Sequence, residues 1–212
     1  MNEKIFNYYD KLSKKADNPL ITRNKAKDFT RYDIEFIKQF ADKNKILLDL
    51  GSGTGLTINN LVNHFYEIIA VEKYKEFYKF INKNIKVIEC DIKSFDFNIK
   101  FDIATLFGVM NYFSYEEAKE LYIKIYNSLD SGVLIIKNQF GLKKDVIVDG
   151  YSKELNSYYF SEYRFIKKEI NLLKSIGFKN IEVIDIYPKE YNRWKDTHFY
   201  AIVAKKENND MD

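Results

Sequence analysis

Apolar residues follow two periods along this chain, and their alternation predicts an α/β fold. Four short apolar runs, at residues 46–50, 67–72, 87–90 and 101–107, are rich in Ile, Val, Leu and Phe and are bounded by polar or glycine positions. That is the pattern of strands buried on both faces. Between them the spacing widens to helical, with residues 56–65 reading as a helix after the first strand and a short helix around 76–81 after the second. Ser114 and Glu117 make a capping box, and the helix they open carries Ala118, Leu121, Tyr122 and Ile125 on one face. A fifth strand follows at 133–136, then a helix with Ile166, Ile170, Leu173 and Ile176 that stops at Gly177. Strands at 181–186 and 199–203, joined by a polar loop, close the pattern. Ahead of the first strand, residues 2–42 are helical in period. Ala16-Asp17-Asn18-Pro19 divides a helix carrying Phe6, Tyr8 and Tyr9 from one carrying Ile34, Ile37, Phe40 and Ala41.

Strands alternating with helices predict a mostly parallel sheet with helices on both faces. The last two strands have no helix between them and are expected to pair antiparallel. The 212 residues fit one domain. Residues 1–42 are read as an N-terminal helical cap, 141–160 as a substrate-lid insertion bearing Tyr151, Tyr158, Tyr159 and Phe160, and 207–212 as a disordered tail.

Composition removes several function classes. The 34 basic and 31 acidic residues are scattered, and the net charge of +3 forms no basic cluster for nucleic acid. Cys90 is the single cysteine, which excludes an internal disulfide and any multi-cysteine zinc site. It is read as a core residue, because the neighbouring Asp91 would raise its thiol pKa. No apolar run reaches about 18 residues and no signal-peptide pattern opens the chain, so no membrane partner and a cytoplasmic location are expected.

The chemistry concentrates at the ends of the strands, where ligands sit in open parallel sheets. The first strand, Leu47-Leu48-Asp49-Leu50, runs into Gly51-Ser52-Gly53-Thr54-Gly55. Glycines at alternate positions let the backbone turn tightly and approach a ligand. The dinucleotide fingerprint G-x-G-x-x-G would require a glycine where Leu56 stands. A helix starting near Thr54 would offer free N–H groups to an anion. Glu72 ends the second strand, 17 positions after Gly55, where a carboxylate can accept both hydroxyls of a ribose.

The G-x-G-x-G loop preceded by an acid resembles the cofactor loop of S-adenosylmethionine (SAM) methyltransferases with a Rossmann-like fold, over most of residues 46–204. The Gly108-Val109-Met110-Asn111-Tyr112-Phe113 segment and the final hairpin look like the small-molecule members found in bacterial sugar and surface-glycan pathways. The resemblance implies a seven-stranded sheet of order 3-2-1-4-5-7-6 with the last strand antiparallel. It implies SAM as cofactor and S-adenosylhomocysteine as product. Gly51, Gly53 and Gly55 would pack on the methionine part, Asp49 would contact the loop or the SAM amino group, Asp91 would accept the adenine amine, and Ile92 would pack on the ring. Phe107 and Gly108 would lie along the cofactor, and Tyr9 and Arg31 would close over it.

The acceptor is narrowed mainly by exclusion. Residues 107–113 lack the Asn/Asp-Pro-Pro-aromatic motif of amino-methylating DNA enzymes, no Pro-Cys nucleophile is present, and Asp102 lies at the beginning of the fourth strand, away from where metal-dependent catechol-type enzymes place an acid. No metal is expected. Asn111, Tyr112, Gln139 and Tyr151 are expected to wall the acceptor pocket, with Arg193 and Lys195 either holding a phosphate or carboxylate or standing as solvated loop charges. His198 and Tyr112 are the candidates near a transferred proton, though a strand-start histidine bonded to backbone is the plainer reading of His198. The leading expectation is O-methylation of a sugar, nucleotide-sugar or phosphorylated glycan precursor by a monomer or homodimer. N-methylation of a small amine, a non-catalytic SAM-binding regulator and an NAD-dependent enzyme stand as alternatives.

Overall fold

The computed structural model describes residues 3–23, 27–153, 156–188 and 194–207. Helix α1 (Glu3–Lys14) and helix α2 (Thr30–Lys38) precede the sheet, separated by a 3-10 turn at Pro19–Arg23. Strands β1 (Ile46–Leu50), β2 (Glu67–Glu72), β3 (Lys86–Glu89), β4 (Ile103–Phe107) and β5 (Gly132–Gly141) follow, with a one-turn helix α3 (Lys75–Tyr78) after β2 and helix α4 (Tyr115–Ser128) after β4. Strands β6 (Val146–Ser152) and β7 (Ser157–Tyr163) come next, then helix α5 (Ile166–Ile176) and strands β8 (Lys179–Ile184) and β9 (Thr197–Lys206).

Seven strands form one sheet of order β3-β2-β1-β4-β5-β9-β8, and β6 and β7 form a separate antiparallel pair. All pairings from β3 to β5 are parallel, whereas β9 is antiparallel to both of its neighbours. This is the seven-stranded Rossmann-like sheet expected from the sequence, with its last strand reversed. Strands β1, β2 and β4 are buried along nearly their whole length, because the two faces support separate cores. On one face Leu48, Leu50, Leu106 and Ile136 meet α4 and α5 through Leu121, Ile125, Leu172 and Leu173. On the other, Leu47, Ile103 and Ile135 meet α2 through Phe36 and Ile37. The helix α4 begins as expected, with Ser114 accepting from the Glu117 N–H and the Glu117 carboxylate accepting from the Ser114 N–H.

Two expectations are corrected. Residues 56–65 do not form a helix; only Ile58–Asn60 makes a 3-10 turn. The asparagines explain this. Asn59 Nδ2 donates to the Phe80 carbonyl while its Oδ1 accepts from the Asn82 N–H, and Asn60 Nδ2 donates to the Leu56 carbonyl. Such side chains compete with the helical ladder for backbone partners. Ile58, Leu61 and Phe65 are buried all the same, so the apolar spacing served the core without a helix.

Secondly, the fifth strand continues to Gly141, paired throughout with β9, so Asn138, Gln139 and Phe140 lie inside the sheet instead of in a loop beyond it. The insertion after residue 141 takes the form of the β6–β7 hairpin, whose strand β7 packs along α1. In the expected tail, Glu207 accepts from Asn180 Nδ2, and residues 208–212 lie outside the described residues.

Candidate functional site

The carboxyl ends of β1 to β4 open into one cavity of about 310 Å³, roofed by α1 and the turn at Pro19–Arg23. That is at the small end of the range for ligand sites, about 300–1,000 Å³. Its floor is the glycine loop. Gly51 has φ +78°, and a Cβ there would lie 2.6 Å from Val109 Cγ1. Only glycine permits both the left-handed backbone and that approach. Gly55, with φ +73°, does not line the cavity; its Cβ would strike Ile81 and Asn59, so its part is to let the loop pack beneath. No helix starts at Thr54, and the expected helix N-terminus for an anion is absent. Instead Thr54 Oγ1 donates to the Pro19 carbonyl at 2.6 Å, fastening the roof to the loop.

The strand-end acids are held in place by specific donors. Glu72 is buried, and its two oxygens accept the N–H groups of Gly53 at 2.8 Å and Tyr74 at 2.9 Å. Burial pushes its pKa up, with those two backbone bonds opposing. Asp49, also buried, accepts from Thr105 Oγ1 at 2.6 Å. Burial raises its pKa too, against the pull of the Thr105 and Ser52 hydroxyls and the Lys137 charge. Asp91 is half-buried between the Lys73 ammonium at 2.9 Å and the Lys93 N–H at 3.0 Å. Burial pushes it up, but these cationic and backbone partners prevail and hold it below the usual carboxylate value. Ile92 and Phe107 complete this side of the cavity. The fit to SAM is therefore good: a close-approach loop, a fixed carboxylate one strand away, and a second acid beside an apolar side chain.

The same cavity is lined by two tyrosines and borders a buried charge cluster. Tyr9 Oη and Tyr112 Oη are 2.5 Å apart, with their rings edge to face at 5.2 Å. Burial, first of all, raises both phenol pKa values. The loop bearing Tyr112 is fastened from behind by Arg164, which donates to the carbonyls of Met110 at 3.0 Å and Phe113 at 2.6 Å. Arg164 is itself paired with Glu169 at 2.6 Å, both almost fully buried.

The cluster consists of Asp33, Lys137, Tyr187 and Arg23. Lys137 lies two residues beyond Ile135 and so shares its face of the sheet, beneath α2. Its Nζ donates to Asp33 Oδ2 at 3.1 Å and Tyr187 Oη at 2.7 Å. Tyr187 donates to Asp33 Oδ1 at 2.5 Å, and Arg23 Nη2 donates to Asp33 Oδ2 at 3.3 Å. Burial pushes the Lys137 pKa down, with the Asp33 carboxylate opposing. Lys137, Asp33 and Arg23 all line the cavity.

Other expected site residues stand elsewhere. His198 does not line the cavity. It shares strand parity with Tyr200 and Ile202, whose face carries α4 and α5, opposite to Lys137. Its ring lies against Tyr200, and Nε2 is 2.9 Å from Asp185 Oδ2 without hydrogen-bond alignment. Gln139 is buried and donates to Thr197 Oγ1 at 2.6 Å, and buried Asn111 donates to Ser161 Oγ at 3.0 Å. Tyr151 is exposed on the hairpin against Tyr158, and Lys195 is exposed. Arg193 lies outside the described residues.

Sequence reasoning passed over Asp33, Lys137, Tyr187 and Arg23. Two of them carried a signal: Asp33 falls four positions before Ile37 on an apolar helix face, and Lys137 ends the apolar run Val133-Leu134-Ile135-Ile136. Charged residues at such positions are rarely buried without a partner.

Residues 47–132 match a family model described as a methyltransferase domain. No curated protein matches the sequence. Among solved structures, DhpI in a SAM–HEP complex has 11% identity, with 98% of this chain and 100% of that chain covered at a TM-score of 0.74. A 1,6-didemethyltoxoflavin-N1-methyltransferase from Burkholderia thailandensis has 14% identity, coverage of 98% and 92%, and a TM-score of 0.70. A SAM-dependent methyltransferase from Clostridium acetobutylicum has 19% identity, coverage of 93% and 98%, and a TM-score of 0.61. Its sheet order and these likenesses give the chain the fold of the class I SAM-dependent methyltransferases, and its strand-end loop lies within the segment that matches the methyltransferase-domain model.

Proposed function

We propose that the protein transfers the methyl group of SAM to an oxygen of a small polar acceptor. The observation that carries this is one cavity with two unlike walls. The donor wall is Gly51, Gly53, Glu72, Asp91, Ile92 and Phe107; the rest of the lining includes Tyr9, Tyr112, Arg23, Asp33 and Lys137, the acceptor wall of this reading. A cofactor alone needs no second polar wall, which weighs against a purely SAM-binding regulator. In-line methyl transfer needs an acceptor lone pair held against the methyl carbon, and such positioning supplies much of the rate. Bound at the donor wall, SAM would supply an activated methyl group, its ribose hydroxyls on Glu72 and its adenine between Asp91 and Ile92. Small-molecule acceptors, including the sugar, nucleotide-sugar and phosphorylated glycan oxygens expected from the sequence, match the scale of the site. A cytoplasmic enzyme of polysaccharide synthesis, monomeric or homodimeric, is the setting consistent with that reading. The complexes of DhpI with SAM and with S-adenosylhomocysteine support the choice of cofactor.

Methylation of an amine is the second reading, favoured by the tyrosines. Burial keeps Tyr9 and Tyr112 protonated, and His198 is remote. A neutral amine needs no base to remove a proton first. Calorimetry with S-adenosylhomocysteine and with NAD tests the donor assignment, and label transfer from methyl-tritiated SAM to panels of sugars, acids and amines tests the acceptor. Saturable S-adenosylhomocysteine binding without NAD binding is expected; the reverse would refute the donor assignment.

A further inference from the structure

Asp91, the acid expected to take the adenine amine, does not stand alone past the end of β3. Its Oδ2 accepts from Lys73 Nζ at 2.9 Å and its Oδ1 from the Lys93 N–H at 3.0 Å. Lys73 directly follows Glu72, and the Glu72 carboxylate accepts the N–H groups of Gly53 and Tyr74, so the backbone that carries Lys73 is fixed. The ring of Phe6, on α1, has its centroid 3.9 Å from the Lys73 ammonium. Lys73 and Asp91 both line the cavity.

An ion pair between exposed side chains is ordinarily worth little and holds no fixed geometry. This pair is placed differently. Its side chains are only 33% and 26% exposed. The ammonium is held from two directions, by the carboxylate and by the aromatic face, and each attracts a cation. Both partners also have bonding capacity left. An ammonium has three N–H bonds, and among the described residues Asp91 is the acceptor that Lys73 Nζ meets at hydrogen-bond distance. A carboxylate offers about four lone-pair sites, and the Lys73 and Lys93 donors fill only part of them on Asp91. The wall therefore presents an acceptor and a donor 2.9 Å apart. A ligand edge that meets both must carry a donor beside an acceptor. Adenine carries its amine beside a ring nitrogen, the pattern that a single Asn or Gln amide reads in bidentate fashion.

Resting on the SAM reading above, we infer that Lys73 is a specificity-determining residue of the donor wall, donating to a ring nitrogen of adenine, N1 or N7, while Asp91 accepts the neighbouring amine. Asp91 alone would accept any amine within reach. The pair requires the amine and the ring acceptor together, and a base lacking either leaves a polar group of the site unpaired. Ile92 is left to pack on the face of the ring. Phe6 keeps the ammonium beside Asp91, so the α1 roof takes part in choosing the base as well as in covering it.

The test is calorimetry on the full chain with S-adenosylhomocysteine and with its two analogues in which N1 or N7 is replaced by CH. The wild-type chain is expected to bind one analogue about tenfold or more weakly than S-adenosylhomocysteine, the scale of a hydrogen bond from a charged donor, and that analogue names the nitrogen. Lys73→Met keeps the apolar stem and removes the donor. It should weaken S-adenosylhomocysteine by a similar factor and then bind it and that analogue alike, to within about twofold. Thermal melts confirm folding, and Lys73→Ala repeats the cycle if the methionine variant does not fold. Undiminished S-adenosylhomocysteine binding by the variant would overturn the inference. So would a variant that weakens all three ligands by the same factor, since Lys73 would then act only by shaping the wall. Equal binding of the three ligands by the wild-type chain would overturn it as well. Failure of S-adenosylhomocysteine to bind the wild-type chain would instead refute the SAM reading itself, and this inference with it.

Discussion

The two walls of the cavity are built in opposite ways. The donor wall comes from successive strand ends within about forty residues: the glycine loop after β1, Glu72 at the end of β2 and Asp91 just past β3. Parallel register brings these ends side by side, so spacing along the chain translates directly into geometry. The acceptor wall joins segments far apart. Asp33 reaches Lys137 across 104 residues and Tyr187 across 154, and Tyr9 reaches Tyr112 across 103. The donor wall can be read as a motif, while the acceptor wall exists only in the folded molecule. Its supports are correspondingly buried charges and hydroxyls, each dependent on a partner elsewhere.

That contrast predicts that changes behind the acceptor wall cost stability, while changes in the donor wall cost binding. The largest effect is expected at Arg164, which anchors the Tyr112 loop and leaves Glu169 buried and unpaired if removed. Arg164→Met should lower stability by about 3–5 kcal/mol, read from the urea midpoint.

Glu72→Gln should weaken S-adenosylhomocysteine binding by about 1.5–3 kcal/mol, the worth of a charged hydrogen bond, measured by calorimetry. Its pH dependence has a definite sign. The folded pKa of Glu72 is raised above its ordinary 4.5, so its contribution to stability is full below that value and is lost as pH rises through the folded pKa. Relative stability should therefore shift in favour of the glutamine variant as pH increases above about 4.5. Thermal melts between acid and neutral pH would reveal the opposite trend if the carboxylate were better solvated than its burial implies.

Tyr9→Phe and Tyr112→Phe should each cost about 1–3 kcal/mol by leaving the other hydroxyl unpaired, and the double variant should recover most of it. Additive losses in that cycle would mean that the two hydroxyls have other partners. The smallest effect is expected at His198. His198→Ala should change turnover less than about threefold, whereas a general base would cost about a hundredfold or more.

The sheet was legible in the sequence because its strands are buried on both faces, leaving unbroken apolar runs such as Leu47-Leu48 and Ile68-Ile69-Ala70-Val71. The donor wall was legible for the same reason, since each ligand-facing group ends such a run. Residues 56–65 misled because apolar spacing reports burial, and Ile58, Leu61 and Phe65 are buried in a chain whose asparagines hold it out of a helix. His198 was read as the end of a loop on the cofactor side, but β9 already begins at Thr197 and puts it within the sheet. One residue along β9 separates the two faces of the sheet, and the start of that strand could not be set to within one residue from its composition. The partners of Asp33 could not be read at all, because no local pattern ties α2 to the middle of β5 and to Tyr187.

The reach of Asp33 also orders events in time. Closing a loop of 154 residues is entropically costly, and contacts of such separation form only after nearer ones have reduced the search. Ribosomes add about 5–20 residues per second, so α2 emerges on the order of ten seconds before Tyr187 exists. For that interval Asp33 has no phenol to bind, and the sheet must assemble strand by strand without this latch. The Asp33 cluster is thus completed during synthesis only after every group of the donor wall has been made, with β9 alone of the strands still to come.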